Sequence, residues 1–222
     1  MDISNVMSSL TSTEGDFIKS IAGSATYYEG FGWYGSLESM APGDGYLLDV
    51  AEASDLIYPD FEEEDGLARK VVDVILPSKV SEWFVNPHAY EFNGTMTLSI
   101  DSREDYDGDY IAAYVGDECR GLAERMYFPF GDSYMYSLMV YSNDIEGEEL
   151  TFKYYDSTIG EIVEYAETID FTSDMIVGDG FNTMPLSREV RIAPEEYSLS
   201  DAYPNPFNPV TSFTYGLPED GL

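Results

Sequence analysis

Short alternating strands separated by turns are the dominant pattern of this chain between residues 71 and 192. Turn signals such as Asn143-Asp144 and Glu146-Gly147 recur along this stretch, and no long helix is predicted after residue 12. Many short strands at such spacing predict a sandwich or a barrel. The predicted strands are 71–76, 90–100, 110–115, 125–128, 133–141, 150–155, 161–165, 168–171 and 190–192.

The predicted strand at 133–141 is apolar on both of its faces. Alternate residues of a strand point to opposite sides, and here both sets are largely aromatic or aliphatic. One set is Tyr134, Tyr136, Leu138 and Val140, and the other is Met135, Met139 and Tyr141. A strand that is covered on both faces is predicted to lie inside a sheet and not at its edge.

Residues 1–58 have the pattern of a small α+β unit. Ile3, Val6, Met7 and Leu10 follow the spacing of one face of a short helix, which we expect to pack on a small sheet. Strands are predicted at 17–21, 25–28, 33–37, 46–50 and 56–58. The turn at 41–45 combines a proline with two glycines, residues that favour tight turns.

An acidic segment divides these two regions. Five carboxylates fall between residues 60 and 65, and such crowding favours an extended, solvated chain. The predicted organisation is a unit at 1–58, an acidic linker at 59–70, and a β-sandwich domain at 71–192. The predicted fold class is therefore mostly β, with a small α+β N-terminal unit before an antiparallel sandwich of immunoglobulin-like or jelly-roll-like type.

The charge balance narrows the range of partners. Asp and Glu number 43 against 10 Lys and Arg, which gives a net charge of −33. Such a field repels phosphate backbones, so no nucleic acid is expected as a partner. No apolar run reaches the length of about 20 residues that a membrane helix needs, so no membrane insertion is expected. Aromatic residues make up 15% of the chain, which indicates a folded protein.

The C-terminal region contains a proline-rich motif that cannot join a sheet ladder. The motif consists of Tyr203, Pro204, Asn205, Pro206, Phe207, Asn208 and Pro209. Each proline favours extended geometry in the residue before it, so an extended arm is predicted from residue 193 onward.

This motif, followed by a predicted strand, resembles the opening of the type IX secretion C-terminal sorting domain. The resemblance implies that residues 193–222 contain the arm and first strand of a truncated sorting domain, and that the secretion machinery is a partner. Residues 83–182 resemble β-sandwich modules that precede such domains in large secreted proteins of Bacteroidetes-like bacteria. The expected location is extracellular or at the outer cell surface. No signal peptide is visible, so the chain is expected to be an internal piece of a longer reading frame.

A cluster of carboxylates between two predicted strands is a candidate calcium site. It consists of Asp101, Asp105, Asp107 and Asp109, with Gly108 permitting the tight loop. Calcium prefers six to eight oxygen ligands, which alternate carboxylates can supply in part. The alternative is a solvated acidic hairpin. Asp174 and the turn at 178–180 form a second candidate.

Aromatic residues supply the candidate ligand-binding site. Trp33 and Tyr34 stand beside a glycine-rich hairpin with Phe31, and Trp83 begins the second region. Exposed rings at these positions would stack on sugar rings. The alternative is that these rings fill the core of a small domain.

The sequence is compatible with three functions. The first is a non-catalytic secreted or cell-surface module for adhesion or polysaccharide binding, with calcium as the one expected cofactor. The second is an extracellular glycoside hydrolase that uses a pair of carboxylates. The third is a self-associating subunit of a surface filament. No catalytic residue is assigned, because His88 and Cys119 stand outside any hydrolase motif and are predicted to be ordinary turn residues.

Overall fold

Strands dominate the described part of the chain, and a short helix stands near its N-terminus. The computed structural model describes residues 1–59, 76–101 and 107–187, and the backbone of two short strands beyond them. The helix α1 is Ile3–Val6, and one-turn 3₁₀ helices occupy Met7–Ser9, Ser78–Val80 and Pro87–Ala89. The strands are β1 Phe17–Lys19, β2 Ser24–Tyr28, β3 Gly32–Gly35, β4 Leu47–Asp49, β5 Phe92–Ile100, β6 Tyr110–Val115, β7 Glu118–Phe128, β8 Ser133–Ser142, β9 Glu146–Asp156, β10 Glu161–Thr172, β11 Ile176–Val177, β12 Met184–Leu186, β13 Ser198–Leu199 and β14 Tyr215–Gly216.

The N-terminal helix packs on a four-stranded antiparallel sheet, as the sequence predicts. Asp2 caps the helix, because its side chain accepts hydrogen bonds from the backbone N–H groups of Ser4 and Asn5. The strand order is β3-β2-β1-β4, and the helix buries Ile3 and Val6 in a core shared with this sheet. The prediction of a strand at 56–58 is wrong, because these residues pair with no neighbouring strand among the described residues.

The second sheet folds over into two layers that enclose the main core. Its order is β10-β9-β6-β7-β8-β5-β11, with β12 also paired to β5. The long strand β7 pairs with β6 through Glu118–Glu124 and with β8 through Arg125–Phe128, so it connects the two halves. The core is built from Met96, Leu98, Ile111, Leu138, Leu150, Phe152, Tyr154 and Phe171 among others. The mostly β fold with a sandwich-like arrangement is thus confirmed.

Several strand boundaries differ from the prediction. β7 begins at Glu118, seven residues before the predicted start at residue 125. The strands predicted at 161–165 and 168–171 are one strand, β10, whose register shifts between Tyr165 and Thr168. β11 and β12, which pair with β5 in parallel, were not predicted, because strands of two and three residues show no periodicity.

The central position predicted for the strand at 133–141 is confirmed. β8 lies between β7 and β5. Its Tyr136, Leu138 and Val140 face the sandwich core, whereas Met135 packs with Tyr28 of the N-terminal sheet. Both faces of this strand are apolar because each one is covered by a different part of the protein.

A buried lysine connects the two sheets. Lys19, on β1, is 4% exposed. Its Nζ donates hydrogen bonds to Asp174 Oδ1 at 2.7 Å and to Asn93 Oδ1 and O at 2.6 and 3.1 Å. The ammonium therefore has three acceptors, which compensate its loss of water.

Residues Met1–Glu189 form one compact unit and Val190–Leu222 form another. In the second unit, β13 and β14 pair antiparallel, with Ser198 opposite Gly216. The predicted linker beyond residue 59, the strand predicted at 190–192 and most of the predicted arm at 193–222 lie outside the described residues. No helix in the described residues is long and apolar enough to span a membrane.

Buried and half-buried tyrosines are a prominent part of the fold. Burial, together with a hydrogen bond to Glu118 and its charge, raises the pKa of Tyr90 to about 12. Burial, with a further contribution from Cys119, raises the pKa of Tyr114 to about 12. Burial alone raises the pKa of Tyr141, whose hydroxyl donates to Ile21 O at 2.8 Å. Each hydroxyl is therefore held in its neutral form by the folded protein.

We expect the protein to lose stability in alkaline solution between about pH 10 and pH 12. A raised folded-state pKa contributes stability below the unfolded value near 10, and that contribution is lost as the pH rises through the folded value. The last part of the rise in tyrosinate absorbance, which comes from the shielded hydroxyls, should therefore accompany the change in circular dichroism, above pH 10. Completion of the tyrosinate change near pH 10 with the circular dichroism still native would contradict this expectation.

Candidate functional site

Three loops that are distant in sequence bring phenylalanine rings together. Phe31 lies in the turn between β2 and β3, Phe130 in the turn between β7 and β8, and Phe181 in the turn after β11. Phe31 stacks on Phe130, with ring centroids 4.3 Å apart and an angle of 26° between the planes. Tyr28 links the group, because its ring lies 5.9 Å from Phe130 and 5.5 Å from Phe181.

Two buried rings support this cluster from below. Phe128 is fully buried and contacts Phe181 at 5.0 Å and Tyr28 at 5.1 Å. Tyr28 is 3% exposed, and its hydroxyl accepts a hydrogen bond from the backbone N–H of Gly180 at 2.8 Å. Position 180 must be glycine, because a Cβ there would overlap the Phe128 ring. The loop is therefore held close against the buried rings.

The outer rings are open to water. Phe31 is 58% exposed and Phe181 is 51% exposed, although both are large apolar side chains. We call the five rings the aromatic platform: Phe31, Phe130 and Phe181 in the loops, and Tyr28 and Phe128 beneath them. Exposed apolar patches on a folded protein mark binding surfaces more often than isolated exposed residues do.

Local sequence explains why these loops present their rings. Gly30 and Gly32 have φ values of 82° and 100°, which let the chain turn tightly on either side of Phe31. Asp179 Oδ1 accepts hydrogen bonds from the N–H groups of Phe181 at 2.7 Å and Asn182 at 3.0 Å. This side-chain turn fixes the backbone that carries Phe181.

Each of the three loops also contains one carboxylate. Glu29 precedes Phe31, Asp132 follows Phe130, and Asp179 precedes Phe181. Asp132 accepts a hydrogen bond from the Tyr127 hydroxyl at 2.7 Å. Sugar hydroxyls are hydrogen-bond donors, and carboxylates are strong acceptors for them. Rings and carboxylates side by side therefore offer both contacts that a sugar unit uses.

The structure places the predicted ligand-binding aromatics mostly in cores. Trp33 is 9% exposed and packs edge-on against Tyr27, and Trp83 is 4% exposed and packs edge-on against Tyr114. Their burial favours the alternative that these two indoles fill the core. Tyr34 is half-buried, and its hydroxyl donates to Tyr127 O while its ring lies 5.4 Å from Phe130. Tyr34 therefore packs against the side of the platform.

Sequence reasoning noted Phe31 but missed Phe130 and Phe181. All three share a usable signal, because each lies within two residues of a glycine and a carboxylate in a turn. The repeated combination is Glu29-Gly30-Phe31, Phe130-Gly131-Asp132 and Asp179-Gly180-Phe181.

The structure places the predicted calcium ligands in different surroundings. Asp107 is exposed and pairs with Arg125. Asp109 is fully buried, where it accepts hydrogen bonds from the Tyr154 hydroxyl and from Ser157 N at 2.8 Å. Asp101 is exposed at the end of β5, and Asp105 lies outside the described residues. Calcium binding at this loop stays a prediction.

In the second candidate cluster, the carboxylates have protein partners. Asp174 forms an ion pair with Lys19, and the hydrogen bond from Lys19 holds the pKa of Asp174 below its usual value. Asp179 caps its own turn. Within the described ranges, no three His, Cys, Asp or Glu side chains are grouped as metal ligands.

The two other residues considered for catalysis are His88 and Cys119. His88 is exposed in a 3₁₀ turn. Cys119 is buried, and burial raises the pKa of its thiol above the usual value, which keeps it protonated. The thiol donates to Gly121 O at 3.5 Å.

No protein-family model matches this chain, and no curated protein or solved structure is significantly similar to it. The motif at 203–209 lies outside the described residues. The aromatic platform is therefore the feature of the described residues from which a function is best argued.

Proposed function

We propose that this protein is a non-catalytic β-sandwich module that binds polysaccharide through the aromatic platform, at the cell surface or after secretion. The observation that carries the proposal is the pair of half-exposed rings, Phe31 and Phe181, on a rigid base of buried rings. Preorganised rings lose little conformational entropy on binding, which favours their use as contact surfaces.

The surrounding chemistry supports a sugar ligand. The apolar faces of sugar rings stack on flat aromatic surfaces, while the hydroxyl groups need hydrogen-bond acceptors nearby. The three loops supply both, since each combines one phenylalanine with one carboxylate. A binding role needs no reacting group in the site, and this agrees with a platform that is open to water.

The proposed location depends on the C-terminal motif. Residues 203–209 resemble the opening of a type IX sorting domain, and this resemblance supports export through that machinery. The acidic surface also suits a saline exterior, because hydrated carboxylates keep a protein soluble there.

Replacing both Phe31 and Phe181 with alanine should weaken polysaccharide binding by about tenfold or more. Full burial of a phenylalanine side chain is worth about 1.5–3 kcal/mol, and each of these rings has about half of its surface left to bury. The measurement is a pull-down and depletion isotherm on a panel of insoluble polysaccharides such as cellulose, chitin and xylan. The same panel in soluble form is assayed for release of reducing ends.

The matched control is Phe84→Ala. Phe84 is 73% exposed and makes no ring contact with the platform among the described residues, so its loss removes an equal apolar side chain elsewhere. We expect the protein to bind polysaccharide without releasing reducing ends. The Phe84→Ala variant should bind as tightly as the unmodified protein. Equal binding by the platform variant and the unmodified protein would contradict it, and release of reducing ends would favour the glycoside hydrolase alternative.

A further inference from the structure

The charges around the aromatic platform share one sign. The turns that carry the exposed rings contain Glu29, Asp132 and Asp179, and they contain no lysine, arginine or histidine. A fourth carboxylate, that of Glu14, joins them, because its Oε2 accepts a hydrogen bond from the backbone N–H of Glu29 at 2.5 Å. A ligand on the platform therefore meets only negative side-chain charges from these turns.

Two of these carboxylates act on the platform itself. Burial raises the pKa of the Tyr28 hydroxyl, and the charges of Asp179 and Glu14 raise it further. The Tyr28 ring contacts both Phe130 and Phe181, so the negative field extends to the centre of the platform. The faces of aromatic rings also carry partial negative charge and attract cations.

Arg125, on the strand β7 that leads into the Phe130 turn, is already paired. Arg125 lies over the Tyr134 ring, with its guanidinium carbon 4.0 Å from the centroid, and it forms an ion pair with Asp107. Tyr134 is the cross-strand partner of Tyr127, whose hydroxyl donates to Asp132. This arginine therefore does not cancel the carboxylates of the three turns.

We infer that the ligand of the platform is an amine-bearing polysaccharide, whose protonated amino groups pair with these carboxylates while its sugar rings stack on Phe31 and Phe181. This inference rests on the proposed function and names the chemical class of its ligand. An acidic polysaccharide is repelled by the same charges, and a neutral one gains the ring contacts alone.

The test compares three soluble oligosaccharides of equal length in isothermal titrations: glucosamine, N-acetylglucosamine and galacturonic acid oligomers. At a pH where the amine is protonated and at low salt, the glucosamine oligomer should bind about tenfold more tightly than the acetylated one. This magnitude follows from three exposed charge pairs of about 0.2–1 kcal/mol each. The preference should shrink in high salt, because exposed charges are screened.

The decisive variant is the triple substitution Glu29→Gln, Asp132→Asn and Asp179→Asn. An amide oxygen can still accept the hydrogen bond that Asp132 receives from Tyr127 and those that Asp179 Oδ1 receives from the N–H groups of Phe181 and Asn182. Asparagine also tolerates the positive φ of 47° at position 132. This variant should bind both oligomers with nearly equal affinity.

The matched control removes three charges from exposed positions on β9 and β10, through Glu146→Gln, Glu149→Gln and Asp170→Asn. The control should keep the preference for the amine. Equal binding of the two oligomers by the unmodified protein, or an equal loss of preference in both variants, would overturn the inference and leave the proposed function intact. Binding to insoluble neutral polysaccharides with no binding of the glucosamine oligomer would also overturn the inference alone. Failure of every oligomer to bind, with no retention on the insoluble panel either, would overturn the proposed function itself.

Discussion

Replacing Arg120 with alanine should destabilise the protein by about 3–5 kcal/mol, because it leaves a half-buried carboxylate without its cation. Arg120 is 8% exposed, and its guanidinium forms a two-pronged pair with Glu148, at 2.8 and 2.9 Å. It also donates to Tyr141 O at 3.1 Å and lies over the Tyr90 ring at 5.1 Å. Chemical denaturation at neutral pH measures the free energy of unfolding.

The pH dependence identifies the source of this effect. Burial would raise the pKa of Glu148, but hydrogen bonds from Ser142 and Arg120 hold it below its usual value. The stability gained from a lowered pKa is present above the unfolded value and is lost as the pH falls through the folded one. The difference between Arg120→Ala and the unmodified protein should therefore shrink in acid.

An exposed pair between the 3₁₀ helix Ser78–Val80 and β10 is the control for Arg120. Lys79 and Glu161 form an ion pair at 2.8 Å, but their side chains are 50% and 63% exposed. Lys79→Ala should therefore cost no more than about 1 kcal/mol. An equal cost for the two variants would show that burial of the Arg120 pair has no special effect.

Replacing Phe128 with alanine should cost about 3–5 kcal/mol and should also abolish the proposed binding. Phe128 is fully buried, and it contacts four other rings: Tyr28, Tyr34, Phe130 and Phe181. Its loss leaves a cavity beneath the loop phenylalanines, so these rings lose the buried side chain against which they pack. Thermal unfolding gives the stability change, and the polysaccharide isotherm gives the binding change.

The same substitution at an exposed position is the control for Phe128. Phe84→Ala should change the free energy of unfolding by no more than about 0.5 kcal/mol, because its ring is 73% exposed. A small effect of Phe128→Ala, comparable to that of Phe84→Ala, would mean that the platform does not depend on the buried ring.

The parts of the fold predicted from sequence are those with a strong local pattern. β8 has apolar residues on both faces, and its central position follows from that alone. The N-terminal helix is marked by the spacing of Ile3 and Val6 and by Asp2 at its start. β11 and β12 escaped prediction because their pairing with β5 is parallel and distant in sequence, which no local pattern reveals.

The candidate site was only partly predictable for a related reason. The sequence shows that aromatic residues surround the first glycine-rich hairpin, but not which of them face water. Trp33 lies within β3 and points into the core, whereas Phe31 lies in the turn and stays exposed. Phe130 and Phe181 join Phe31 only through tertiary packing, and the sequence alone does not place those turns together.

The most direct test of the platform is a nuclear magnetic resonance titration of the isotope-labelled protein with a soluble oligosaccharide. The account predicts that amide shifts concentrate in the turns that carry Phe31, Phe130 and Phe181, and that Phe31→Ala with Phe181→Ala removes them. Saturable shifts confined to another surface, with these three turns unmoved, would contradict it.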